Sequence, residues 1–217
     1  MQYNIEEVCA VILTGGKSSR MGGGVKSLKK FNEITIFDRI YKITKQQIKN
    51  IIINTNSEEN YFKKYNRPII KDIITGYHGP LAGIHAALRW INNHLSDVKW
   101  LISIPGDTPF IPNNLINKLY LKAIKNKKQI IIAKSNNNIH PVIGIWNVNL
   151  LKDLEQNILN QERKIIVWAK NQKLDYEEFF CSDYDPFFNI NYEEDLNKAK
   201  KIEEKFIIGQ NQNFKKC

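Results

Sequence analysis

The stretch VCAVILTGGKSSRMGGGVKSL, residues 8–28, decides the fold. Its first six residues are apolar without a break, a length and pattern that suit a strand buried on both faces. A loop with five glycines follows, together with Arg20, three small hydroxyl side chains and, beyond Val25, a lone Lys26. Strand-to-helix connections usually take about 2–6 residues; this one runs to about 14. A loop of that length, rich in glycine, lets backbone N–H groups approach an anion without Cβ obstruction. Arg20 adds a guanidinium fork for phosphate oxygens and Lys26 a point charge. The loop is expected to cradle a triphosphate. It does so outside the two familiar patterns. Walker A requires glycine before its lysine, where Val25 stands, and the dinucleotide fingerprint requires a third glycine where Ser27 stands.

Beyond this loop the chain alternates. Helical periodicity covers residues 36–48, and β-branched strands follow at 51–53 and 68–71, with a short helix between them capped by Ser57. A helix at 81–94 opens behind Gly79 and Pro80, a good first-turn proline. Then come a strand at 100–104, a helix at 112–125 and a strand at 129–133. The second half is less regular: strands at 142–146 and 187–190, and helices at 150–159, 163–171 and 193–206. Repeated strand–helix alternation predicts an α/β fold, a mostly parallel central sheet with helices on both faces. With no internal repeat or linker, residues 1–208 are expected to form a single domain and 209–217 a frayed tail. In such a sheet, ligands gather beyond the carboxyl ends of the strands. That rule selects residues 14–28, 54–56, 72–83 and 106–110.

Composition narrows the class. The net charge of +10 comes from 32 basic and 22 acidic residues. Only five basic residues are arginine, and lysine, asparagine and isoleucine, all with AT-rich codons, crowd the whole chain. A solvated surface explains that charge better than a specific nucleic-acid partner. The cysteines Cys9, Cys181 and Cys217 show no C-x-x-C spacing, which argues against a disulfide framework or zinc site. No signal peptide or membrane-length apolar run is evident, so a cytoplasmic protein, and a monomer, is expected.

Leu13-Thr14-Gly15-Gly16, Arg20-Met21-Gly22 and Lys26 resemble the L-A-G-G-x-S-x-R-M-G-x-D-K signature of molybdenum cofactor guanylyltransferases, nucleotidyltransferases with a Rossmann-like, three-layer sandwich fold. The resemblance continues through Asn54, Asp72, GPLAG (79–83), GDTPFIP (106–112), His140-Pro141 and FNIN (188–191), in order and over nearly the whole chain. One position departs: Val25 stands where the family carries aspartate.

The resemblance implies transfer of GMP from GTP to the terminal phosphate of molybdenum-molybdopterin, with release of pyrophosphate. It makes Arg20, Lys26 and Asp107 the catalytic group, with Asp107 the Mg²⁺ ligand. Leu13, Thr14, Gly15, Gly16, Asn54, Asp72, Gly79 and Gly83 join Lys26 and Asp107 around GTP, the first three chiefly through backbone groups. Asp72 suits the guanine N–H donors and equally a ribose hydroxyl. Asn189 and Asn191, alternating on the expected strand, line the pterin side or help the metal. His140 is either a pterin contact or a hydrogen-bonded structural histidine. Molybdenum-insertion proteins or acceptor apoenzymes are the implied partners. Two other readings stay open: a relative using CTP or a sugar-phosphate acceptor, and a weakly active or non-catalytic nucleotide binder, on account of Val25.

Overall fold

The computed structural model describes residues 5–15, 25–57, 59–74, 76 and 79–208. Gly16, Arg20, the Gly22–Gly24 run, Glu58, His78 and the expected tail at 209–217 lie outside the described residues.

Strand β1 (Val8–Leu13) is buried at every position. Its side chains alternate between two cores. Val8, Ala10 and Ile12 join one, and Cys9, Val11 and Leu13 join the other. This two-sided burial explains its unbroken apolar run. Burial also pushes the Cys9 thiol up to about 12. Helices α1 (Ile36–Gln47), α4 (Leu115–Lys125) and α7 (Glu193–Ile202) cover the first face. Helices α3 (Pro80–His94), α5 (Leu151–Leu159) and α6 (Ile165–Lys170) cover the second. Helix α2 (Glu59–Phe62) is a single turn. The result is the expected three-layer α/β arrangement.

The seven-stranded sheet runs β5-β4-β1-β6-β8-β7-β9. Strand β1 pairs in parallel with β4 (Asn50–Asn54) and β6 (Trp100–Pro105), and β4 with β5 (Ile69–Ile70). The chain first builds outward on one side of β1 and then crosses to the other. The sheet therefore has its switch point at the carboxyl end of β1, where a ligand crevice opens. Strand β8 (Asn138–Asn147) is antiparallel to β6 and to β7 (Ile130–Ser135), while β9 (Leu174–Glu178) is parallel to β7.

Two hairpins were not foreseen. Strands β2 (Lys30–Phe31) and β3 (Ile34–Thr35) turn at Asn32-Glu33, and β7 and β8 turn at Asn136-Asn137. All four turn residues have positive φ, as the twist of a two-residue hairpin loop demands. The expected strand at 187–190 is absent. Phe187 and Ile190 are buried there, three residues apart, and fill the core from an irregular segment. Among the described residues, no helix is long and apolar enough to cross a membrane.

Candidate active site

A cleft of about 500 Å³ opens beyond the carboxyl ends of β1, β4 and β6. Its floor comes from close backbone approach. The Gly106 N–H donates to Leu13 O at 2.8 Å, and a Cβ on Gly106 would stand 2.9 Å from that same oxygen. Glycine is therefore required where the β6 turn meets the end of β1. The Thr14 N–H donates to Asn54 O at 2.9 Å, and its hydroxyl donates to the same carbonyl. Thr14 thus spends its N–H and hydroxyl on the fold while lining the cleft. Gly15 lines the cleft with open space around it.

One wall carries a carboxylate held by amides. Asn54, buried at the end of β4, donates to Asp72 Oδ1 at 3.0 Å. Asn56 donates to Asp72 Oδ2 at 2.8 Å and accepts from the Asp72 N–H at 3.0 Å. The start of α3 lies beside this group. Gly79 caps it at φ 59°, in the left-handed half of the map that favours glycine, and Pro80 follows at the first turn. At Gly83 a Cβ would come within 2.5 Å of Asn54 Oδ1. The GPLAG segment is thus shaped to bring an amide-rich helix start against Asn54.

The centre of the cleft is ionic. Lys26 Nζ lies 2.5 Å from Asp107 Oδ2, and it donates to Asn191 Oδ1 at 2.7 Å and Asn189 Oδ1 at 3.4 Å. Lys26 reaches this point from a short 3-10 turn, Lys26–Leu28, that ends the glycine-rich loop. The Asp107 carbonyl accepts from the Ile190 N–H at 3.0 Å, which ties the two segments together. The Asn191 and Tyr192 N–H groups both donate to Asp195 Oδ2 at the start of α7. Burial alone would raise the Asp195 pKa, but these amides and Lys198 outweigh it and hold the carboxyl below the usual range. Asn189 and Asn191 converge on Lys26 without the strand that was expected to align them. Asn189 lines the cleft; Asn191 does not.

The opposite wall is formed by the start of β8: Ile139, His140, Pro141, Val142 and Ile143. Here the β7–β8 register breaks, passing from Ala133 opposite His140 to Ile132 opposite Gly144. Pro141 has no N–H to give a ladder, and the bulge turns this stretch toward the cleft. His140 lines the cleft and is also hydrogen-bonded, to Ser135 at 2.7 Å. Ser27, Asn56 and Thr108 line the cleft too. Sequence reasoning named Lys26, Asn54 and Asp107 beside them and gave these three no role. Among the described residues no three His, Cys, Asp or Glu side chains cluster to hold a metal.

Residues 10–174 match the MobA-like NTP transferase domain. The chain belongs to that family. The MobA-like match extends to full-length relatives. A molybdenum cofactor guanylyltransferase of Nitrobacter hamburgensis is 34% identical over 203 residues, covering 93% of this chain and 97% of the relative. One from Brucella ovis is 33% identical over 210 residues, covering 91% and 93%. Among solved structures, molybdopterin-guanine dinucleotide biosynthesis protein A of Archaeoglobus fulgidus superposes with a TM-score of 0.73 at 23% identity, over 90% of this chain and 98% of that one. A CMP:2-keto-3-deoxy-manno-octonic acid synthetase complexed with CTP shares the fold, with a TM-score of 0.69 at 11% identity, over 91% and 98%. The MobA-like nucleotidyltransferase fold expected from the sequence is the fold observed.

Proposed function

We infer that this chain acts as a molybdenum cofactor guanylyltransferase, moving GMP from GTP to the terminal phosphate of molybdenum-molybdopterin and releasing pyrophosphate. The observation that carries the reading is the meeting of Lys26, Asp107 and Asn189 in a cleft whose two walls differ in kind, with Asn191 holding Lys26 from outside its lining. One wall is amide- and carboxylate-rich, suited to a nucleotide. The other is a mixed apolar and histidine surface, suited to a second, larger ring system.

The attacking group is a phosphate monoester with a second pKa of about 6, so it is already anionic near neutrality. No strong general base is required. The barrier is the meeting of two anions and the departure of a third, which positioning and charge neutralisation lower. Lys26 supplies a cation at the reacting phosphates once it leaves Asp107. The N–H groups at the start of α3, behind Gly79, favour phosphate oxygens. Asp72 uses one carboxylate oxygen for each of Asn54 and Asn56, yet each oxygen has a second lone pair free. That leaves it able to take the N1–H and amino donors of guanine. Arg20, outside the described residues, is assigned to the β- and γ-phosphates on the resemblance alone.

The residues present fit Mg²⁺. Asp107 Oδ1 is buried and has no hydrogen-bond partner among the described residues, and the Oδ1 atoms of Asn189 and Asn191 converge on the Lys26 ammonium that Asp107 Oδ2 also meets. Mg²⁺ favours one or two carboxylates with other hard oxygens. Asp107 would hold the ion with Asn191 beside it, and the ion would neutralise charge on the phosphates. Molybdenum-insertion proteins or acceptor apoenzymes are the partners such a product requires.

Two measurements test the reading. In thermal melts with Mg²⁺, GTP should stabilise the protein more than CTP or UTP; stabilisation by CTP alone would overturn the guanylyl assignment. Pyrophosphate should be released from GTP only when molybdenum-loaded molybdopterin is present. Release from GTP without that acceptor, or none with it, would remove the reaction.

A further inference from the structure

Behind the acceptor wall runs a hydrogen-bond chain that the reaction above does not use. Ser135, fully buried at the end of β7, has its Oγ 2.7 Å from His140 Nε2 and 2.7 Å from Asp185 Oδ1. Asp185 Oδ1 also accepts from the Phe187 N–H at 2.9 Å. A carboxylate only accepts, and a serine hydroxyl has one hydrogen. That hydrogen goes to Asp185. The Ser135 oxygen is then the acceptor in its contact with His140, so Nε2 must carry a hydrogen.

The other ring nitrogen follows from this. Burial lowers the His140 pKa below its usual value, against the opposing pull of the Asp185 and Glu178 carboxylates. The ring is therefore neutral near pH 7, with a lone pair at Nδ1. Nδ1 is neither hydrogen-bonded to any described residue nor among the buried polar atoms without a partner. The ring lies against Phe187, with centroids 4.8 Å apart, and both side chains line the cleft.

We propose that Ser135 and Asp185 are positioning residues that fix His140 as the Nε2–H tautomer, presenting Nδ1 as a hydrogen-bond acceptor for an N–H or O–H donor of the acceptor substrate. A neutral acceptor at this wall also discriminates. An imidazolium would attract the GTP triphosphate to the wrong half of the cleft, whereas a lone pair repels phosphate oxygens and rewards a donor-bearing heterocycle. The identity of that substrate rests on the guanylyltransferase reading; the tautomer does not.

The test uses the full chain with ¹⁵N-labelled histidine and long-range ¹H–¹⁵N correlation spectra, the His140 ring being assigned by its loss in His140→Gln. The wild-type spectrum should show hydrogen on Nε2 and a bare Nδ1. Hydrogen on Nδ1 in the wild type would overturn the proposal whatever the stability of any variant. Ser135→Ala and Asp185→Ala should give mixed tautomers. Asp185→Asn, whose Oδ1 accepts from the same two donors, should keep the wild-type pattern. In kinetics, Ser135→Ala and Asp185→Ala should raise KM for molybdenum-molybdopterin about tenfold, the loss of one hydrogen bond, with GTP·Mg²⁺ thermal stabilisation unchanged. An altered tautomer with an unaltered KM would also overturn the proposal. No substrate enters the spectra, so their result stands apart from any failure of GTP turnover.

Discussion

Lys26 Nζ and Asp107 Oδ2 lie 2.5 Å apart, an ion pair joining the glycine-rich loop to the turn after β6. These are the two described residues on which the chemistry is expected to depend, and here each neutralises the other. Binding of a triphosphate with its cation therefore exchanges partners: phosphate for Lys26, metal for Asp107. Asp107→Ala should abolish pyrophosphate release, and Lys26→Met should slow it by about a hundredfold or more, the usual cost of losing an electrostatic contact to the transition state. Near-normal turnover of Asp107→Ala in a pyrophosphate assay would remove Asp107 from the site.

Val25 precedes the turn that carries Lys26. It occupies the N-cap position and its side chain makes no capping hydrogen bond. Aspartate is among the preferred caps, because its carboxylate accepts from the free N–H groups of the first turn, typically for about 1 kcal/mol. Val25→Asp should steady Lys26 and raise the rate of pyrophosphate release. An unchanged or lower rate would show that this loop does not need the carboxylate.

A methyl group at Gly83 has nowhere to go. The added Cβ would meet Asn54 Oδ1 at 2.5 Å and Leu13 Cδ2 at 2.7 Å, and Asn54 is buried and tied to Asp72. Gly83→Ala should lower stability by about 1–3 kcal/mol, as overpacking does. It should also shrink the thermal shift produced by GTP. A variant that melts like the wild type and still responds fully to GTP would separate α3 from the nucleotide wall.

Acid should weaken the fold through His85. This side chain is fully buried on α3, and neither ring nitrogen has a partner among the described residues. Burial lowers its pKa, while Glu155, 3.9 Å from Nε2, pulls the other way without prevailing. In the unfolded chain histidine titrates near about 6.5, so the unfolded state takes up the proton first. The stabilising contribution is present above that value and is lost as pH falls toward the lower folded pKa. Tm should therefore drop between about pH 7 and about pH 5, and His85→Leu should flatten the slope. His140 acts with the same sign, so part of the slope should remain. A variant slope equal to the wild type would acquit His85.

Much of this was legible from residue order. The six apolar residues of β1 and the helical spacing of α1 carry two-sided and one-sided burial directly in their patterns. Strand β9 was not legible. LDYEE has little apolar content because it closes the edge of the sheet and is half exposed along most of its length. At the site, Lys26 and Asp107 stood out because their neighbours are unusual. Asn189 and Asn191 were legible as a pair through the FNIN resemblance, while the strand assumed to align them does not form. Ser135 and Asp185 lie 50 residues apart, and neither is marked by any local pattern. Only the fold brings them together.

Strand β8 runs against its neighbours, so its beginning, not its end, arrives at the cleft. The nucleotide wall is thus assembled from the exits of three parallel strands, whose ends are bound to one another by backbone contacts such as Gly106 to Leu13. Much of the facing wall is a single hairpin with a two-residue turn. The two walls are consequently under different obligations to the rest of the chain. Mutations in the hairpin can revise which acceptor is received while the grip on the triphosphate is inherited intact, a division of labour that lets one architecture change its customers without relearning its trade.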